Sequence, residues 1–466
     1  MSSPEAQGMS SGDLADGLQF ALANNLNVHS VTIVRHGVIV LDAYFYPFKP
    51  NTRHDVASVT KSVLSLLTGI ATTHRYLRGP DQTLVTALDP QDAANAGAAV
   101  AGIRLSDLLT MRSGFDCGFK GGEPELRDMR STNDWVAHAL RLPMTVEPGT
   151  RFGYCSPNFH LLSAAISSST HTSALGFARQ YLFQPLGITD VYWPADGKGI
   201  THGWGDLQLQ PRDMAKIGLL MLREGRWQDK QVVSKAWIDA SVKNHFQAND
   251  SNDYGLGWWM PRRIPGLFEA TGRGGQRISI TPEKDIVVVI TGGGFEPYDI
   301  GQFILKAVRS NGPLPADPAN QRKLADALDG IAAAPARRVA AKPTALRQVS
   351  GRVYNLEKNP LGVRAIAVDF ADPNASSLNI ELENGEKLVQ PLGMNGQYRA
   401  KNENGAAILA GRAEWFEDGR LRVEYNRLSL INRFVFDFAF MDRDLDLVVS
   451  EPTEFGTLRV RGVAQK

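Results

Sequence analysis

The chain has 466 residues, of which 43% are hydrophobic and 21% are charged, and its net charge at pH 7 is +1. This composition is typical of a soluble globular protein of two or three domains, and the balanced charge argues against nucleic acid or an anionic membrane surface as a partner. No uncharged apolar run is long enough to predict a membrane-spanning helix. The polar N-terminus lacks the features of a secretory signal, so we expect a cytoplasmic protein unless a leader was removed.

The first predicted elements are two strands and a helix. Residues 28–46 contain two β-rich runs joined at Arg35-His36-Gly37, which predicts a hairpin. Residues 58–77 carry apolar side chains at helical spacing over most of the surface, which predicts a buried helix. Further helices are predicted at about 159–169, 211–224 and 298–309, and two strands within 277–292, split by a turn at Pro282-Glu283-Lys284.

The composition of the chain changes after residue 312. Residues 313–345 hold five prolines and few large apolar side chains, so we interpret them as a linker with one helix near 319–333. From residue 346, short alternating runs separated by Gly and Asn predict an antiparallel sheet or a small barrel. The predicted organisation is therefore a domain at 1–312, a linker at 313–345 and a second domain at 346–466.

The strongest candidate for chemistry is Ser58-Val59-Thr60-Lys61, at the start of the predicted buried helix. Residues three apart on a helix share a face, and the N–H groups of a first helical turn can stabilise an oxyanion. Lysine has a reference pKa of about 10.4, so Lys61 acts as a base near neutral pH only if burial lowers that pKa. The spacing alone is weak evidence, because a chain of this composition contains it by chance.

Two later segments add candidate site residues. Tyr154 and Ser156 lie between the turn at Glu147-Pro148-Gly149 and a predicted helix, where a tyrosine can shuttle a proton; an isolated tyrosine is more often structural. Gly272-Arg273-Gly274-Gly275-Gln276 precedes a predicted strand, where glycines let a substrate approach the backbone and a free N–H can complete an oxyanion hole. A flexible turn explains those glycines equally well.

Other features argue against alternative chemistry. Cys117 and Cys155 are too few for a disulfide framework, and we interpret them as reduced, partly buried thiols. The nine histidines show no metal-ligand spacing, and no phosphate-binding or dinucleotide-binding motif is present. We therefore expect no metal and no cofactor. Residues 8–12 match the GxSxG nucleophile motif, but they lack the preceding strand that this motif requires.

Taken together, these segments resemble the serine β-lactamase and penicillin-binding-protein superfamily, in its branch of class C enzymes, esterases and nylon-oligomer hydrolases. The similarity covers roughly residues 28–310. The matching segments occur in the family's order: Ser58-Val59-Thr60-Lys61-Ser62, 104–114, 147–152 leading to Tyr154, Trp204-Gly205-Asp206 and 211–215.

The resemblance implies an α/β (α+β) fold in which helices flank an antiparallel sheet formed by both ends of the domain, with an all-helical subdomain inserted. It also implies that Ser58 is acylated, that Lys61 activates it and that Tyr154 returns the proton to the leaving group. The N–H groups of Ser58 and of Gly275 or Gln276 would form the oxyanion hole. The last 120 residues resemble the lipocalin-like β-domains that are appended to some relatives.

Departures from the family's pattern bear on the substrate. Many relatives carry Asn where Ser156 stands, and the usual Lys-Thr-Gly or His-Thr-Gly is replaced here by Gly272-Arg273-Gly274. Arg273 supplies a cation but not the threonine hydroxyl. We therefore expect a carboxylesterase or amidase acting on a small ester or amide. Two alternatives stay open: a β-lactamase or D-amino-acid peptidase, and a non-catalytic sensor or binder that keeps the fold.

The residues that would select a substrate are harder to identify. His202, just before the Trp204 segment, is a candidate cleft residue, although a lone histidine is more often structural. The cleft walls near 115–130 and 245–270 carry no readable code, and their aromatic residues Trp258, Trp259 and Phe268 are each more typical of a core. The sequence does not fix the oligomeric state, and a homodimer is compatible with it.

Overall fold

The structure is a computed structural model that describes residues 1–117, 123–334, 349–372, 375–403 and 407–465, except the side chain of Glu403. The chain divides into two compact units. The first comprises Met1–Ala43, Asp55–Gly292 and Glu296–Ala327, and the second comprises Tyr44–His54, Gly293–Phe295 and Leu328–Lys466. Within the described ranges, no helix has the length and apolar character needed to cross a bilayer.

The α-helices of the described residues all precede the C-terminal strands. They are α1 (Ser11–Ala23), α2 (Val59–Thr73), α3 (Pro90–Ala94), α4 (Leu105–Leu109), α5 (Pro124–Arg130), α6 (Trp135–Leu140), α7 (Ser156–Thr170), α8 (Ala174–Ala178), α9 (Pro211–Leu222), α10 (Lys235–Ser241), α11 (Tyr298–Ala307) and α12 (Pro318–Ala332). A π-helix at Arg179–Phe183 extends α8, and Arg273–Gly275 forms a short 3-10 turn.

The strands that precede α11 include an eight-stranded antiparallel sheet in the order β2-β1-β12-β11-β10-β9-β8-β7. The bounds are β1 (Val28–Arg35), β2 (Val38–Tyr44), β3 (His54–Asp55), β4 (Gln208–Leu209), β5 (Arg226–Trp227), β6 (Lys230–Gln231), β7 (Phe246–Asn249), β8 (Asn252–Tyr254), β9 (Trp259–Pro261), β10 (Phe268–Gly272), β11 (Gln276–Thr281) and β12 (Ile286–Gly292). Because β1 pairs with β12, the two ends of the unit meet in one sheet, as expected.

The strand β1 and the helix α2 are both buried inside the first unit. β1 is buried along its whole length, and α9 covers it and β12 so closely that a Cβ at Gly218 would lie 2.4 Å from Val287 Cγ1. All residues of α2 from Val59 to Ala71 are buried. A helix that is apolar on every side is stable only when it is enclosed, so the one lysine in α2 is buried with it.

The strands of the second unit form a barrel. They are β13 (Tyr354–Leu356), β14 (Val363–Asp369), β15 (Ser377–Leu382), β16 (Lys387–Gly393), β17 (Arg399–Glu403), β18 (Ala407–Trp415), β19 (Leu421–Arg427), β20 (Arg433–Met441), β21 (Asp444–Glu451) and β22 (Gly456–Ala464). Consecutive antiparallel pairs run from β13 to β16 and from β17 to β22, and β13 pairs with β22. A parallel pairing of β16 with β18 closes a ring of nine strands, with β17 outside it.

Most predicted elements of the chain are present within a few residues of their expected bounds. The hairpin is β1–β2, the buried helix is α2, and the strands split at Pro282-Glu283-Lys284 are β11 and β12. The helix expected near 319–333 is α12; the later part of the predicted linker, 335–345, lies outside the described residues. Ser10, the serine of the GxSxG segment, is the N-cap residue of α1, and its Oγ accepts a hydrogen bond from the Asp13 N–H.

The prediction of two reduced thiols is wrong. Cys117 and Cys155 form a disulfide, with their Cα atoms 5.1 Å apart, a separation within the range that disulfides require. The two cysteines are 38 residues apart, and the loop that brings Cys117 beside Cys155 leaves no local pattern in the sequence. The disulfide joins the residue next to Tyr154 to the segment that follows α4.

Candidate active site

The backbone before α2 holds Ser58 in a constrained position. Ala57 has a φ of 47°, a left-handed conformation that is unfavourable for a residue with a Cβ. Its N–H donates to Asp55 Oδ1 at 2.7 Å, which fixes this turn. Ser58 follows as the N-cap residue of α2, and the N–H groups of Val59 and Thr60 donate to the carbonyl oxygens of Val56 and Ala57, both at 3.1 Å, which fixes the backbone on either side of Ser58.

Lys61 lies one turn along α2 and is only 1% exposed. Its Nζ lies 2.8 Å from Ser58 Oγ and donates to the carbonyl oxygen of Trp204, also at 2.8 Å. Burial lowers the pKa of Lys61 to about 8, against the opposing influence of the Glu123 and Asp206 carboxylates. At pH 7 roughly one tenth of Lys61 is therefore the neutral amine, and this fraction grows as the pH rises through 8; the neutral amine can accept the Ser58 proton.

Tyr154 approaches the same hydroxyl from the loop before α7. Lys61 Nζ lies 5.1 Å from the centre of the Tyr154 ring, and the Ser58 side chain is near enough to the phenol to lower its pKa slightly. Burial, assisted by the nearby Glu123 carboxylate, raises the pKa of Tyr154 well above its usual value. The phenol is therefore protonated at neutral pH, which makes it a proton donor rather than a second base.

Glu123 was missed by the sequence analysis. Its carboxylate accepts a hydrogen bond from Ser156 Oγ at 2.6 Å, and Ser156 is 1% exposed. The same carboxylate acts on the pKa values of both Lys61 and Tyr154. No motif surrounds Glu123 in the sequence, and only the tertiary fold brings it to the site.

The glycine turn after β10 lies against the backbone that precedes Ser58. A Cβ at Gly272 would lie 2.4 Å from the carbonyl oxygen of Val56, so only glycine permits this approach. Gly274 and Gly275 have φ values of 82° and 102°, which also favour glycine. The side chain of Arg273 is exposed.

Gln276 has a structural role as well as its predicted one. Its side chain is fully buried, and its Nε2 donates to the carbonyl oxygens of Gly292 at 2.6 Å and of Arg273 at 3.1 Å. Its Oε1 accepts the Gly292 N–H at 3.2 Å. The amide group thus holds the turn on β12, while the backbone N–H remains the candidate oxyanion donor.

His202 lies in an aromatic cluster with Trp135 and Trp204. Its ring stacks on Trp204 with centroids 5.6 Å apart and lies 4.6 Å from the Trp135 ring. Its Nδ1 lies 2.8 Å from Asp206 Oδ2, and Asp206 in turn influences the pKa of Lys61. Asp206 therefore links His202 to the electrostatics of Lys61, and the placement of His202 in the cleft stays a prediction.

The aromatic residues near the cleft divide into core and wall. Trp258 is fully buried and Phe268 is 6% exposed, so both belong to the core, as expected. Trp259 is partly exposed and stacks on Tyr154, with ring centroids 6.0 Å apart, which makes it a wall residue. Residues 118–122 of the other predicted wall lie outside the described residues. Within the described ranges, no cluster of His, Cys, Asp and Glu could hold a metal ion.

The arrangement can be compared with known proteins. A curated 6-aminohexanoate-dimer hydrolase from Paenarthrobacter ureafaciens is 23% identical over 280 residues, covering 55% of this chain and 70% of that protein. The octameric penicillin-binding protein homologue of Pyrococcus abyssi has a TM-score of 0.53 at 17% identity and covers 97% of this chain and 99% of that chain. The hydrolase EstCE1, described as having promiscuous acyltransferase activity, has a TM-score of 0.53 at 17% identity, covering 64% of this chain and 99% of that chain.

These structural likenesses establish the fold, which is that of β-lactamase-like proteins followed by a β-barrel. The model of a protein family described as Beta-lactamase matches residues 24–308. That range is more than half of the 466 residues and contains Ser58, Lys61 and Tyr154. The chain therefore belongs to the Beta-lactamase family.

Proposed function

We propose that this protein is a serine hydrolase that cleaves an ester or amide bond through an acyl-enzyme on Ser58. The observation that carries the proposal is the 2.8 Å separation of Lys61 Nζ from Ser58 Oγ, combined with burial that lowers the pKa of Lys61 to about 8. A lysine in this state is a base matched to neutral or mildly alkaline pH.

Each proton in the proposed reaction has a donor and an acceptor. Ser58 Oγ attacks the carbonyl carbon while Lys61 takes the hydroxyl proton, and the N–H groups of Ser58 and of Gly275 or Gln276 stabilise the oxyanion. Tyr154 protonates the leaving alkoxide or amine as the bond to the carbonyl carbon breaks, and Lys61 returns a proton to Tyr154. A water molecule then attacks the ester on Ser58 while Lys61 takes a water proton, and Lys61 returns that proton to Ser58 Oγ as the acyl–oxygen bond breaks, which releases the acid and restores the enzyme.

The charges around the nucleophile favour some substrates over others. Glu123 and Asp206 both act on Lys61, so an anionic group near the scissile bond meets two carboxylates. This field disfavours β-lactams, which carry a carboxylate, and favours neutral or cationic acyl groups. The names of two relatives, a 6-aminohexanoate-dimer hydrolase and a hydrolase with promiscuous acyltransferase activity, support a hydrolase that transfers acyl groups.

The test is hydrolysis of p-nitrophenyl butyrate by Ser58→Ala. We expect turnover to fall by at least about 10³-fold with the fold intact, and a fluorophosphonate probe to label Ser58 in the native protein. Ser62→Ala is the matched control, because Ser62 Oγ donates to the Gly257 carbonyl at 2.6 Å and takes no part in the reaction. Unchanged turnover in Ser58→Ala would refute the proposal, and nitrocefin hydrolysis as fast as ester hydrolysis would indicate a β-lactamase.

A further inference from the structure

The barrel of the second unit is filled in its middle and holds a cavity near one end. Inward-facing side chains alternate along each strand, and those in the middle of β19 and β20, Val423 and Phe438, are at most 1% exposed. Towards the other end of the barrel, Leu382, Leu388 and Phe434 remain partly exposed. They line a cavity of about 410 Å³, which is within the size range of small-molecule sites.

The lining of this cavity is apolar and aromatic. Leu409, Tyr425 and Phe434 contribute to it, and Phe434 stacks on Tyr425 and packs beside Phe455, with centroids 6.3 and 6.2 Å apart. Apolar side chains at the mouth of a barrel are normally covered to remove them from water. This surface is therefore favourable for an apolar molecule of modest size.

One cation occupies an inward position at the same end. Arg427 is the last residue of β19 and lies two residues beyond Tyr425, on the face that also presents Val423. It pairs with Leu409 of β18, which is 5% exposed, and it lines the cavity.

The guanidinium of Arg427 has no ion-pair partner among the described residues. The cavity lining also contains one carboxylate, Glu386, but this residue is exposed in the turn between β15 and β16, and its carboxylate lies more than 4.0 Å from Arg427, beyond ion-pair distance. An arginine facing an apolar cavity without a carboxylate partner is suited to bind an anionic group.

We propose that this cavity is a second ligand site, which binds a small amphipathic molecule with an apolar chain and a carboxylate head. The chain lies among the leucine and aromatic side chains, and the carboxylate pairs with Arg427. The site is formed by residues of the second unit alone and does not depend on the function proposed for Ser58.

The probe is octanoate, compared with the neutral 1-octanol, in calorimetric titrations of the full-length protein. We expect octanoate to bind more tightly than octanol. Arg427→Met should weaken octanoate binding about tenfold, which is the contribution of one charge-assisted pair, and change octanol affinity less than twofold. Arg420→Met is the matched charge control, because Arg420 lies in the turn between β18 and β19, where it pairs with Asp418 and does not line the cavity.

A second variant tests the location of the ligand independently. Leu382→Trp places a larger side chain in the cavity and should abolish binding of both probes, while an unchanged circular dichroism spectrum and a cooperative thermal transition show that the protein is folded. The proposal is overturned if native protein does not bind octanoate, if Arg427→Met and Arg420→Met bind octanoate equally well, or if octanoate still binds to a folded Leu382→Trp protein.

Discussion

Both units of the protein enclose a cation, a carboxylate and a tyrosine, but the two clusters differ in how completely their charges are paired. In the barrel, Glu424 Oε1 lies 2.6 Å from Arg412 Nη2, and its Oε2 accepts the Tyr398 hydroxyl at 2.7 Å. Burial alone would raise the pKa of Glu424, but Arg412 and these hydrogen bonds outweigh it and hold that pKa below its usual range. This cluster is fully compensated and stays ionised.

The cluster around Ser58 is arranged in the opposite way. Lys61 makes its close contacts with a hydroxyl and a carbonyl oxygen, and the carboxylates of Glu123 and Asp206 only partly offset the cost of its burial. The pKa of Lys61 therefore falls below its usual value, whereas a fully paired lysine would have a raised pKa. A paired buried charge stabilises one conformation, whereas an incompletely paired one can exchange a proton. The barrel cluster around Glu424 is therefore structural, and the cluster around Ser58 is a candidate for catalysis.

The largest effect that tests this comparison is expected from Lys61→Met. Methionine keeps the apolar contacts of the stem within α2 but cannot accept a proton, so ester turnover should fall by about 10³-fold or more. Thermal stability should stay the same or rise, because an incompletely paired buried amine is removed. A drop in melting temperature comparable to that of a core-cavity variant would show that Lys61 is structural.

Tyr154→Phe should have the next largest effect. The variant keeps the stacking on Trp259 but removes the hydroxyl that protonates the leaving group, so turnover should fall by about 10²-fold to 10³-fold. Esters of p-nitrophenol should suffer less than alkyl esters, because nitrophenolate leaves without a proton. The contrast is measured by comparing the two substrates; an equal loss for both would argue against Tyr154 as the proton donor.

In the barrel, Arg412→Met should produce the reverse outcome. Removal of the guanidinium leaves Glu424 buried without its closest cation, which should cost about 3 kcal/mol of unfolding free energy for this unit. Ester turnover per folded molecule should be unchanged. The loss is measured by urea denaturation with fluorescence detection. Arg459→Met, which breaks the exposed pair with Asp446, is the control and is expected to change the stability far less, because solvent screens an exposed ion pair.

The sequence predicted the parts of this comparison that depend on local order. Ser58 and Lys61 are one helical turn apart, so their contact follows from α2 alone, and the family resemblance pointed to Tyr154 as a candidate, which lies beside them. Glu123 and the disulfide partner of Cys155 are distant in sequence and joined only by the tertiary fold, so no spacing rule reveals them. His202 lay beside a recognised motif, but its orientation towards Asp206 depends on packing against Trp135 and Trp204.

The smallest expected effect, and the most direct test of incomplete pairing, is on pH dependence. Because the neutral form of Lys61 is the base, kcat/KM should increase as the pH rises through about 8, the pKa that burial gives Lys61. Glu123 favours the charged ammonium and so raises this pKa. Glu123→Gln removes that influence, which should lower the pKa and move the rising limb to lower pH by roughly half a unit to one unit.

The matched control for this shift is Glu125→Gln, which makes the same charge change two residues away in α5, where Glu125 has no influence on the pKa of Lys61. Its profile should follow that of the native protein. Glutamine at position 123 can still accept the Ser156 hydroxyl, so the comparison isolates charge from hydrogen bonding. A rising limb that stays in place, or moves to higher pH, would mean that Glu123 does not set the proton affinity of Lys61 and that burial alone distinguishes this cluster from the barrel's.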